Sequence, residues 1–331
     1  MSDRSAGTPP APRSDLADFH TPAFRDWRWL ETCWFGFFVP EIGLRGHVRA
    51  AFRVNLGVVQ TMVYVFRRGG TIFDMEFADC QIHVPLSVTD RYSDFNLVCG
   101  LSVRSRSVPD RYSVRYRSRD RRCEMELEYQ AMMPPVGLEY TKLPDAGEGF
   151  AAFDRPGRSG VDVGHIDQTF RVEGRLRIDD SRFDVRCVAN HDHSWSPRNE
   201  FRSSVGTFDN LHFGDELTIF LQAAERTLHQ PEVTHAYVLN GSSLRRVTRA
   251  SVTYEREGLV TRRARYDITD ETGERYLVDA PVRYDVGVDS GSNAWTHMHY
   301  LEPVWNGRVG YGECAWHCDI SSMQALNRRA G

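Results

Sequence analysis

The densest group of titratable side chains in this sequence is the run NHDHSWSPR at residues 190–198. If the strand-like run before it continues, His191, His193 and Trp195 point to one face, because successive side chains of a strand alternate. Imidazoles act as general acids or bases near neutral pH, and an indole face stabilises a developing cation. Asp192 could fix the tautomer of a neighbouring histidine. The alternative is a strand end whose polar groups hold a turn.

Two further histidines, His297 and His299, share one face of a predicted strand. Together with His191 and His193 they could form a four-imidazole site for zinc or iron. The alternative is two unrelated pairs of strand histidines. We expect no required metal and no cofactor, because no cysteine or carboxylate has the spacing of a ligand set.

Two glutamates stand in apolar or aromatic sequence surroundings, Glu41 and Glu313. A buried carboxyl group has a raised pKa and could act as an acid. The simpler interpretation of each is a surface or ion-paired glutamate, and we favour it.

The elements that position these residues are short β-strands. Residues 57–66 are rich in β-branched and aromatic side chains, and residues 123–131 alternate between acidic and apolar side chains. Turn residues such as Asp179-Asp180 separate the strand-like runs at short intervals. Helix formation is expected only at residues 321–329. The pattern predicts an all-β protein of antiparallel barrels or sandwiches.

A Pro- and Gly-rich segment interrupts the strands between residues 133 and 164, and we place a domain boundary there. The length of 331 residues is itself typical of two domains. We predict a disordered N-terminus at residues 1–17, an N-terminal domain at 18–150, and a C-terminal domain at 151–331 that carries the HDHSW block.

The composition argues against several classes of protein. The net charge of −4 indicates no nucleic-acid partner, since nucleic-acid-binding domains usually present a basic face. No stretch reaches the roughly 18 apolar residues of a membrane-spanning helix, and no signal peptide is evident. The seven cysteines include no CxxC pair and are expected to be reduced. We therefore expect a soluble, cytoplasmic protein of unknown oligomeric state.

The central block resembles the DHSWG-x-R motif of the carotenoid 1,2-hydratase (hydroxyneurosporene synthase) and AttH-like superfamily, which is similar to tocopherol cyclases and kievitone hydratase. Residues 31–37, 168–179 and 310–313 resemble other segments of that superfamily. The resemblance implies two tandem lipocalin-like β domains with a pocket between or inside them. It also implies addition of water to an isoprenoid alkene, or its cyclisation, through a protonated cation.

The resemblance carries over to individual residues of the block. His193 and Trp195 match a catalytic His-x-Trp pair on the pocket wall. Gln222 stands where the family has the acid that donates the proton, and a glutamine cannot protonate an alkene. The proton must then come from another group, and the nearest titratable candidates in the sequence are His191 and Asp192. The residues expected to contact the substrate are Phe220, Gln222, Arg198, Trp34 and His299.

Two functions are compatible with the sequence. The first is a cofactor-independent hydratase, cyclase or isomerase that acts on an alkene of a hydrophobic, isoprenoid-like metabolite. The second is a lipocalin-type carrier of such a molecule, which needs apolar walls but no poised acid. The titratable groups of the block favour the enzyme. An enclosed cavity with His193 in its wall would favour it further.

Overall fold

The structure is a computed structural model that describes residues 16–20, 26–146, 164–198, 205–225, 230–291 and 293–330. Strands account for 69% of it and helix for 7%, which confirms the all-β prediction. The strands form two antiparallel sheets, one a half-barrel and the other a closed barrel, in agreement with two tandem β domains.

The first sheet has the strand order β4-β3-β2-β1-β11-β10-β8-β7-β6-β5, with β9 beside β10. Its strands are β1 (Trp29–Val39), β2 (Leu44–Arg53), β3 (Val58–Phe66), β4 (Phe77–Pro85), β5 (Asp94–Asn96), β6 (Leu101–Ser107), β7 (Arg111–Arg117), β8 (Cys123–Ala131), β9 (Val136–Gly137), β10 (Gly164–Ile178) and β11 (Ser181–Pro197). A short helix, α1 (Leu138–Thr141), follows β9. Three 3-10 turns interrupt this half of the chain, at Pro40–Ile42, Val54–Leu56 and Ile72–Asp74.

The second sheet closes into a barrel because its first and last strands, β16 and β17, pair with each other. The order around the barrel is β16-β15-β14-β13-β12-β21-β18-β17, and β19 and β20 extend from β17. The bounds are β12 (Gly206–His212), β13 (Leu217–Glu225), β14 (Pro231–Asn240), β15 (Ser243–Glu257), β16 (Val260–Asp270), β17 (Arg275–Gly291), β18 (Ala294–Leu301), β19 (Val304–Trp305), β20 (Arg308–Val309) and β21 (Tyr311–Asp319).

The predicted C-terminal helix is present as α2 (Ile320–Ala330). The Asp319 carboxylate accepts the backbone N–H of Ser322 at 2.9 Å and so satisfies one of the unpaired donors of its first turn. No helix among the described residues is long and apolar enough to cross a membrane.

The sheets separate at a different point of the chain from the predicted boundary at residue 150. β10 and β11 belong to the first sheet, where β10 pairs with β8 and β11 pairs with β1. The second sheet begins only at Gly206, so the HDHSW block lies in the first sheet. The strands on either side of the Pro- and Gly-rich segment, β8 and β10, pair with each other in the same sheet. The pairing of β11 with β1 is long-range and leaves no local signal in the sequence.

The N-terminal segment 1–17 lies mostly outside the described residues, but its last two positions are described. Leu16 is buried and packs with Trp29, Ile166 and Trp195. The carbonyl of Ala17 accepts hydrogen bonds from the backbone N–H and the hydroxyl of Ser93. The prediction of disorder is therefore wrong for these two residues.

Alternating side chains place one apolar core inside each sheet. On β8 the apolar side chains Met125, Leu127 and Tyr129 are buried, whereas Glu126 and Glu128 are exposed, as the sequence pattern predicts. A second core fills the closed barrel. The first cluster also includes Val286 and Met298 from β17 and β18 of the closed barrel, so the two sheets pack against each other through their outer faces.

The matched pair Leu127→Ala and Glu126→Ala tests this alternation on neighbouring positions of β8. Leu127 is fully buried in the first core, and its truncation should lower the free energy of unfolding by about 2–5 kcal/mol, because it leaves a cavity. Glu126 is exposed, and its truncation should change stability by less than about 0.5 kcal/mol. Urea unfolding of both variants gives the measurement. Equal losses would contradict the assigned faces.

Candidate functional site

A cavity of about 850 Å³ lies between the outer face of the first sheet and the outer face of the closed barrel. One wall comes from β1, β2, β3, β10 and β11, and the other from β12, β13, β17, β18 and β21. Pockets for small organic ligands typically have volumes of about 300–1,000 Å³. The cavity is therefore large enough for a metabolite, and it lies between the domains rather than inside either sheet.

β11 presents different residues to the two sides of its sheet. Asn190, Asp192 and Ser194 line the cavity. His193 and Trp195 point to the opposite side of the sheet and do not line the cavity. The sequence argument placed the two imidazoles and the indole on one face correctly, but it assigned that face to the pocket wall. In the structure that face packs against Tyr92 and His20 inside the first sheet, and the cavity lies on the other face of β11.

His193 belongs to a closed polar cluster beneath the sheet. Its Nε2 lies 2.7 Å from Glu31 Oε1, and His20 Nδ1 lies 3.0 Å from the same oxygen. Trp195 stacks on the His20 ring at 3.8 Å, and Tyr92 stacks on His193 at 3.5 Å. The cluster fixes residues 16–20 against the first sheet.

The electrostatics of this cluster keep the histidine neutral at pH 7. Burial lowers the pKa of His193 to about 4, although Glu31 opposes the shift. Burial alone would raise the pKa of Glu31, but its hydrogen bonds to His193 and His20 hold it below the ordinary value. Glu31 is therefore ionised, and His193 acts as a hydrogen-bond donor to it.

His191 is likewise a packed side chain rather than an exposed acid. Its ring stacks on Phe35 at 4.1 Å, and its Nδ1 donates to the carbonyl of Trp34 at 2.9 Å. Burial lowers the pKa of His191 to about 3. At neutral pH it is therefore the neutral imidazole and has no imidazolium proton to donate as an acid.

The cavity wall has a different titratable group, formed by Asp192 together with His165 and Asp167. His165 Nε2 donates to Asp167 Oδ2 at 2.9 Å, and its Nδ1 lies 4.0 Å from Asp192 Oδ2. His165 and Asp167 are buried, whereas the side chain of Asp192 is 25% exposed toward the cavity. The three form a carboxylate–imidazole–carboxylate row that ends at the cavity.

The pKa values within this row match acid–base chemistry. Burial raises the pKa of Asp192 to about 6, opposed by the positive charge of His165 and reinforced by Asp167. Burial alone would lower the pKa of His165, but the charge of Asp167 and its hydrogen bond raise it above the ordinary value. Asp192 therefore exchanges its proton near neutral pH, where both of its forms are populated.

His165 and Asp167 were missed from the sequence, although a signal for them was present. The predicted turn at Asp179-Asp180 is confirmed, with Ile178 paired to Ser181. Counting back along the two arms of that hairpin places Asp167 opposite Asp192 and His165 opposite Ser194. Directly opposed residues of an antiparallel pair share a face, so the turn alone was enough to bring these side chains together.

The other residues expected to contact substrate divide into two groups. Trp34, Arg198 and Phe220 line the cavity. The side-chain amide of Gln222 lies behind the wall, 3.3 Å from His165 Nε2. His299 lies away from the cavity, where its Nδ1 donates to the Cys314 carbonyl and its Nε2 accepts the Thr261 N–H.

The two other candidate acids are also accounted for. Glu41 is exposed. Glu313 lines the cavity, but it forms a buried ion pair with Arg45 and accepts a hydrogen bond from Asn210 at 3.0 Å. Burial lowers the pKa of Arg45 to about 9, which leaves it charged at pH 7. Glu313 is therefore the ion-paired glutamate that the simpler interpretation predicts.

Comparison with known proteins shows the family to which this chain belongs. The family described as Domain of unknown function (DUF7064) matches residues 17–320. This chain belongs to the DUF7064 family. No curated protein matches the sequence.

Among solved structures, the DUF7064 chain is similar to a Nitrosomonas europaea protein provisionally named AttH (NE1406), with 13% identity, a TM-score of 0.62, and coverage of 96% of this chain and 98% of that chain. It also matches kievitone hydratase from Nectria haematococca, with 10% identity, a TM-score of 0.48, and coverage of 89% and 90%. The first match confirms the resemblance to AttH-like proteins at the level of the fold. Neither assigns a reaction to this DUF7064 protein.

Two groups in the described part of this DUF7064 chain have the geometry to hold a metal ion. They are His20, Glu31 and His193, and Asp285, His297 and His299. In the second group both ring nitrogens of His299 are already hydrogen-bonded to the backbone. The histidines at 191, 193, 297 and 299 do not come together, so the four-imidazole site is excluded. The expectation of no required metal stays a prediction.

The buried histidines predict a strong dependence of stability on pH. Burial penalises the charged imidazole and lowers their pKa values from the roughly 6.5 of the unfolded chain, to about 3 or 4 in six of them and in the same direction in His47. The unfolded state therefore binds more protons between about pH 6.5 and 4, and stability falls as the pH falls through that window. The described residues that share this property are His47, His191, His193, His212, His235, His299 and His317.

Thermal unfolding followed by circular dichroism should show a steep fall in Tm as the pH is lowered from about 7.5 to about 4.5, a range that spans most of the titration window. Asp192, Asp209 and His165 have raised pKa values and oppose the effect, but they are outnumbered. His212→Phe should make the dependence shallower, since it removes one of these protonation sites. A Tm that does not change over this range would show that the histidines are not buried as described.

Proposed function

We propose that this DUF7064 protein is an acid–base enzyme that moves a proton to or from a carbon atom of an unsaturated, largely apolar small molecule. The reaction is a hydration, an isomerisation or a cyclisation. The observation that carries the proposal is Asp192, a carboxyl group with a pKa near 6 on the wall of a metabolite-sized cavity, backed by His165 and Asp167.

Asp192 is free to act on a ligand. Its Oδ1 is buried and makes no hydrogen bond to any described residue, while the side chain as a whole is 25% exposed on the cavity wall. No hydrogen bond of Oδ1 therefore opposes a rotation of the carboxyl group toward a ligand. In contrast, the Glu313 carboxylate is held by Arg45 and Asn210. A general acid must have a pKa near the working pH and must lie within reach of the reacting atom. The pKa of Asp192 fulfils the first condition. Its place on the cavity wall allows the second when a ligand is bound.

The proton transfer can be written with the residues of the wall. Protonated Asp192 gives its proton to an alkene carbon, so that the carboxyl O–H bond breaks and a C–H bond forms. Water then bonds to the neighbouring electron-poor carbon, and its surplus proton returns to the Asp192 carboxylate. Loss of a proton from another carbon instead gives an isomer. His165, held by Asp167, stabilises the Asp192 carboxylate between the two transfers.

The remaining roles follow from the walls of the cavity. Trp34 presents an indole to the cavity, and an aromatic face stabilises positive charge that develops on carbon. The resemblance to carotenoid 1,2-hydratases supports hydration as the reaction class. Gln222 stands at the position of that family's proton-donating acid, and we propose that Asp192 donates the proton instead. The proposed chemistry uses no cofactor.

We also infer that the protein acts in the cytoplasm. All seven of its cysteines are unpaired thiols. Proteins of oxidising compartments more often carry disulfides, so the free thiols support this assignment.

Asp192→Asn tests the proposal directly, because it keeps the shape of the side chain and removes its proton chemistry. The protein is incubated in D2O with a panel of prenylated phenols, isoprenoid alcohols and unsaturated fatty acids, and mass spectrometry detects deuterium on carbon or the addition of D2O. The variant should lose about 10²–10⁴-fold in rate. The matched control is Asp289→Asn, since Asp289 also lines the cavity, and it should keep most of the activity.

Full activity of Asp192→Asn would contradict the proposal. If the wild-type protein binds members of the panel but labels none of them, the enzyme assignment fails for these classes and the carrier function is supported.

His193→Ala tests whether the reaction takes place on the His193 face or on the Asp192 face of β11. It removes a partner of the buried Glu31 carboxylate, and a lost buried hydrogen bond typically costs about 1–3 kcal/mol of stability. The deuterium-labelling rate of the folded variant should stay within about tenfold of the wild type, below the usual contribution of a general acid. Urea unfolding and the labelling assay provide both measurements. A stable variant with a rate as low as that of Asp192→Asn would restore His193 as the acid.

A further inference from the structure

The barrel side of the cavity carries a histidine that the proposed reaction does not use. Glu313, Ala315 and His317 alternate along β21 and line the cavity. Cys314 and Trp316, which lie between them in the sequence, are buried on the other face of the strand. The His317 ring therefore belongs to the cavity wall opposite the reactive carboxyl group.

One nitrogen of this ring is held by two hydroxyl groups. Nδ1 of His317 lies 2.7 Å from Thr296 Oγ1, and the Thr296 hydroxyl donates to Ser290 Oγ at 2.7 Å. A hydroxyl group has a single hydrogen atom. Because Thr296 gives this hydrogen to Ser290, it accepts the hydrogen bond from His317, and Nδ1 of the ring carries a hydrogen atom.

The ring is neutral at pH 7, which leaves its other nitrogen without a hydrogen atom. Burial lowers the pKa of His317 to about 4, and the positive charges of Arg49 and Arg45 add to the shift. Arg49 is itself fixed beside the two hydroxyl groups, since its Nη1 donates to the carbonyl of Ser290 at 3.0 Å. A neutral imidazole with its hydrogen on Nδ1 has only a lone pair at Nε2.

The Nε2 atom of His317 is accessible from the cavity and forms no hydrogen bond with any residue of the described chain. The wall around it is partly apolar. The edge of the Phe208 ring packs against His317 at 5.4 Å, and Met298 and Ala315 line the same wall. An apolar ligand that covers Nε2 would displace water from it and leave the acceptor unpaired, which is costly.

A fixed acceptor of this kind distinguishes between oxygen groups of a ligand. A hydroxyl group can donate its hydrogen to Nε2, whereas an ether or carbonyl oxygen can only accept and would meet lone pair against lone pair. Sites built to bind a substrate hydroxyl group strongly reject analogues that lack it, because the polar group of the site is then left unpaired.

The site of His317 also faces the residues of the proposed reaction. Asp192 and Arg49 flank Trp34 in one row across the first sheet. The hydrogen bond from Arg49 to the Ser290 carbonyl joins this row to the barrel wall. A ligand anchored at His317 therefore lies between the barrel wall and the row that contains Asp192.

We propose that the natural ligand is an alcohol or a phenol with an apolar body, and that its hydroxyl group donates a hydrogen bond to His317 Nε2. Thr296 and Ser290 act as positioning residues, because they fix which ring nitrogen accepts. This inference rests on the proposed function for the use of the cavity as the ligand site, and it adds the chemical class of the substrate.

The test compares binding of farnesol, its methyl ether and farnesal, which share one unsaturated chain. Among the three only farnesol can donate a hydrogen bond. Displacement of the neutral dye Nile red, whose fluorescence increases in an apolar site, gives the affinities. The wild-type protein should bind farnesol at least about tenfold more tightly than either analogue, a difference of about 1.4 kcal/mol. Equal affinities, or no binding of farnesol, would overturn the inference without any variant.

Variants assign the preference to His317. His317→Phe keeps a flat ring but removes the acceptor, and the preference for farnesol should fall to near unity while the affinity for the methyl ether changes little. Thr296→Val releases Nδ1, so that the ring can carry its hydrogen on Nε2. This variant should bind farnesal more tightly than the wild type does, a reversal that a merely structural role of Thr296 would not produce.

The matched control is Thr32→Val, since Thr32 also lines the cavity and its hydroxyl group bonds to Ser194 Oγ at 2.7 Å on the opposite wall. The preference for farnesol should remain intact in this variant. An undiminished preference in His317→Phe would show that the hydroxyl group binds elsewhere and would overturn the inference.

The outcome is separable from that of the proposed reaction. Asp192→Asn should abolish labelling and keep the preference for farnesol. A preference for farnesol with no labelling of any compound would support the hydroxyl site on a carrier. Labelling with no such preference would leave the enzyme proposal standing and overturn the hydroxyl site.

Discussion

The structure depends on one constraint, which is that β11 is buried on both faces while its side chains must alternate between them. Residues on one face enter the polar cluster of His20, Glu31 and His193, and those on the other face form the cavity wall around Asp192. A shift of the register by one residue would exchange the two environments completely. The pairing of β11 with β1 on one side and β10 on the other prevents that shift.

Desolvation acts oppositely on the titratable groups of the two faces. On the inner face it removes the proton from the imidazoles, so that His191 and His193 serve as neutral packing and hydrogen-bonding groups. On the cavity face it raises the pKa of the Asp192 carboxyl group into the physiological range. A histidine with a normal pKa is the usual physiological acid, but here burial transfers that role to an aspartate. The charges of His165 and Asp167 further adjust the pKa of Asp192.

The sequence predicts more of the local structure than of the tertiary structure. The alternation of β8, the turn at Asp179-Asp180 and the fold class could be predicted, because each depends on neighbours in the chain. The return of β10 and β11 to the first sheet could not, because it depends on a pairing with β1 that lies far away in sequence. The face of Asp192 was missed for a related reason: alternation separates the faces, but only the position of the second barrel shows which one meets a cavity.

The central claim is that ligand binds between the two sheets, on the Asp192 face of β11. A crystal structure of the protein with a bound unsaturated carboxylic acid, such as cis-parinaric acid, tests it most directly. The account predicts electron density in the cavity between the outer faces of the two sheets, with the unsaturated carbons of the ligand beside Asp192. Density inside the first half-barrel, against His193 and Tyr92, would contradict it and would return the chemistry to the histidine face.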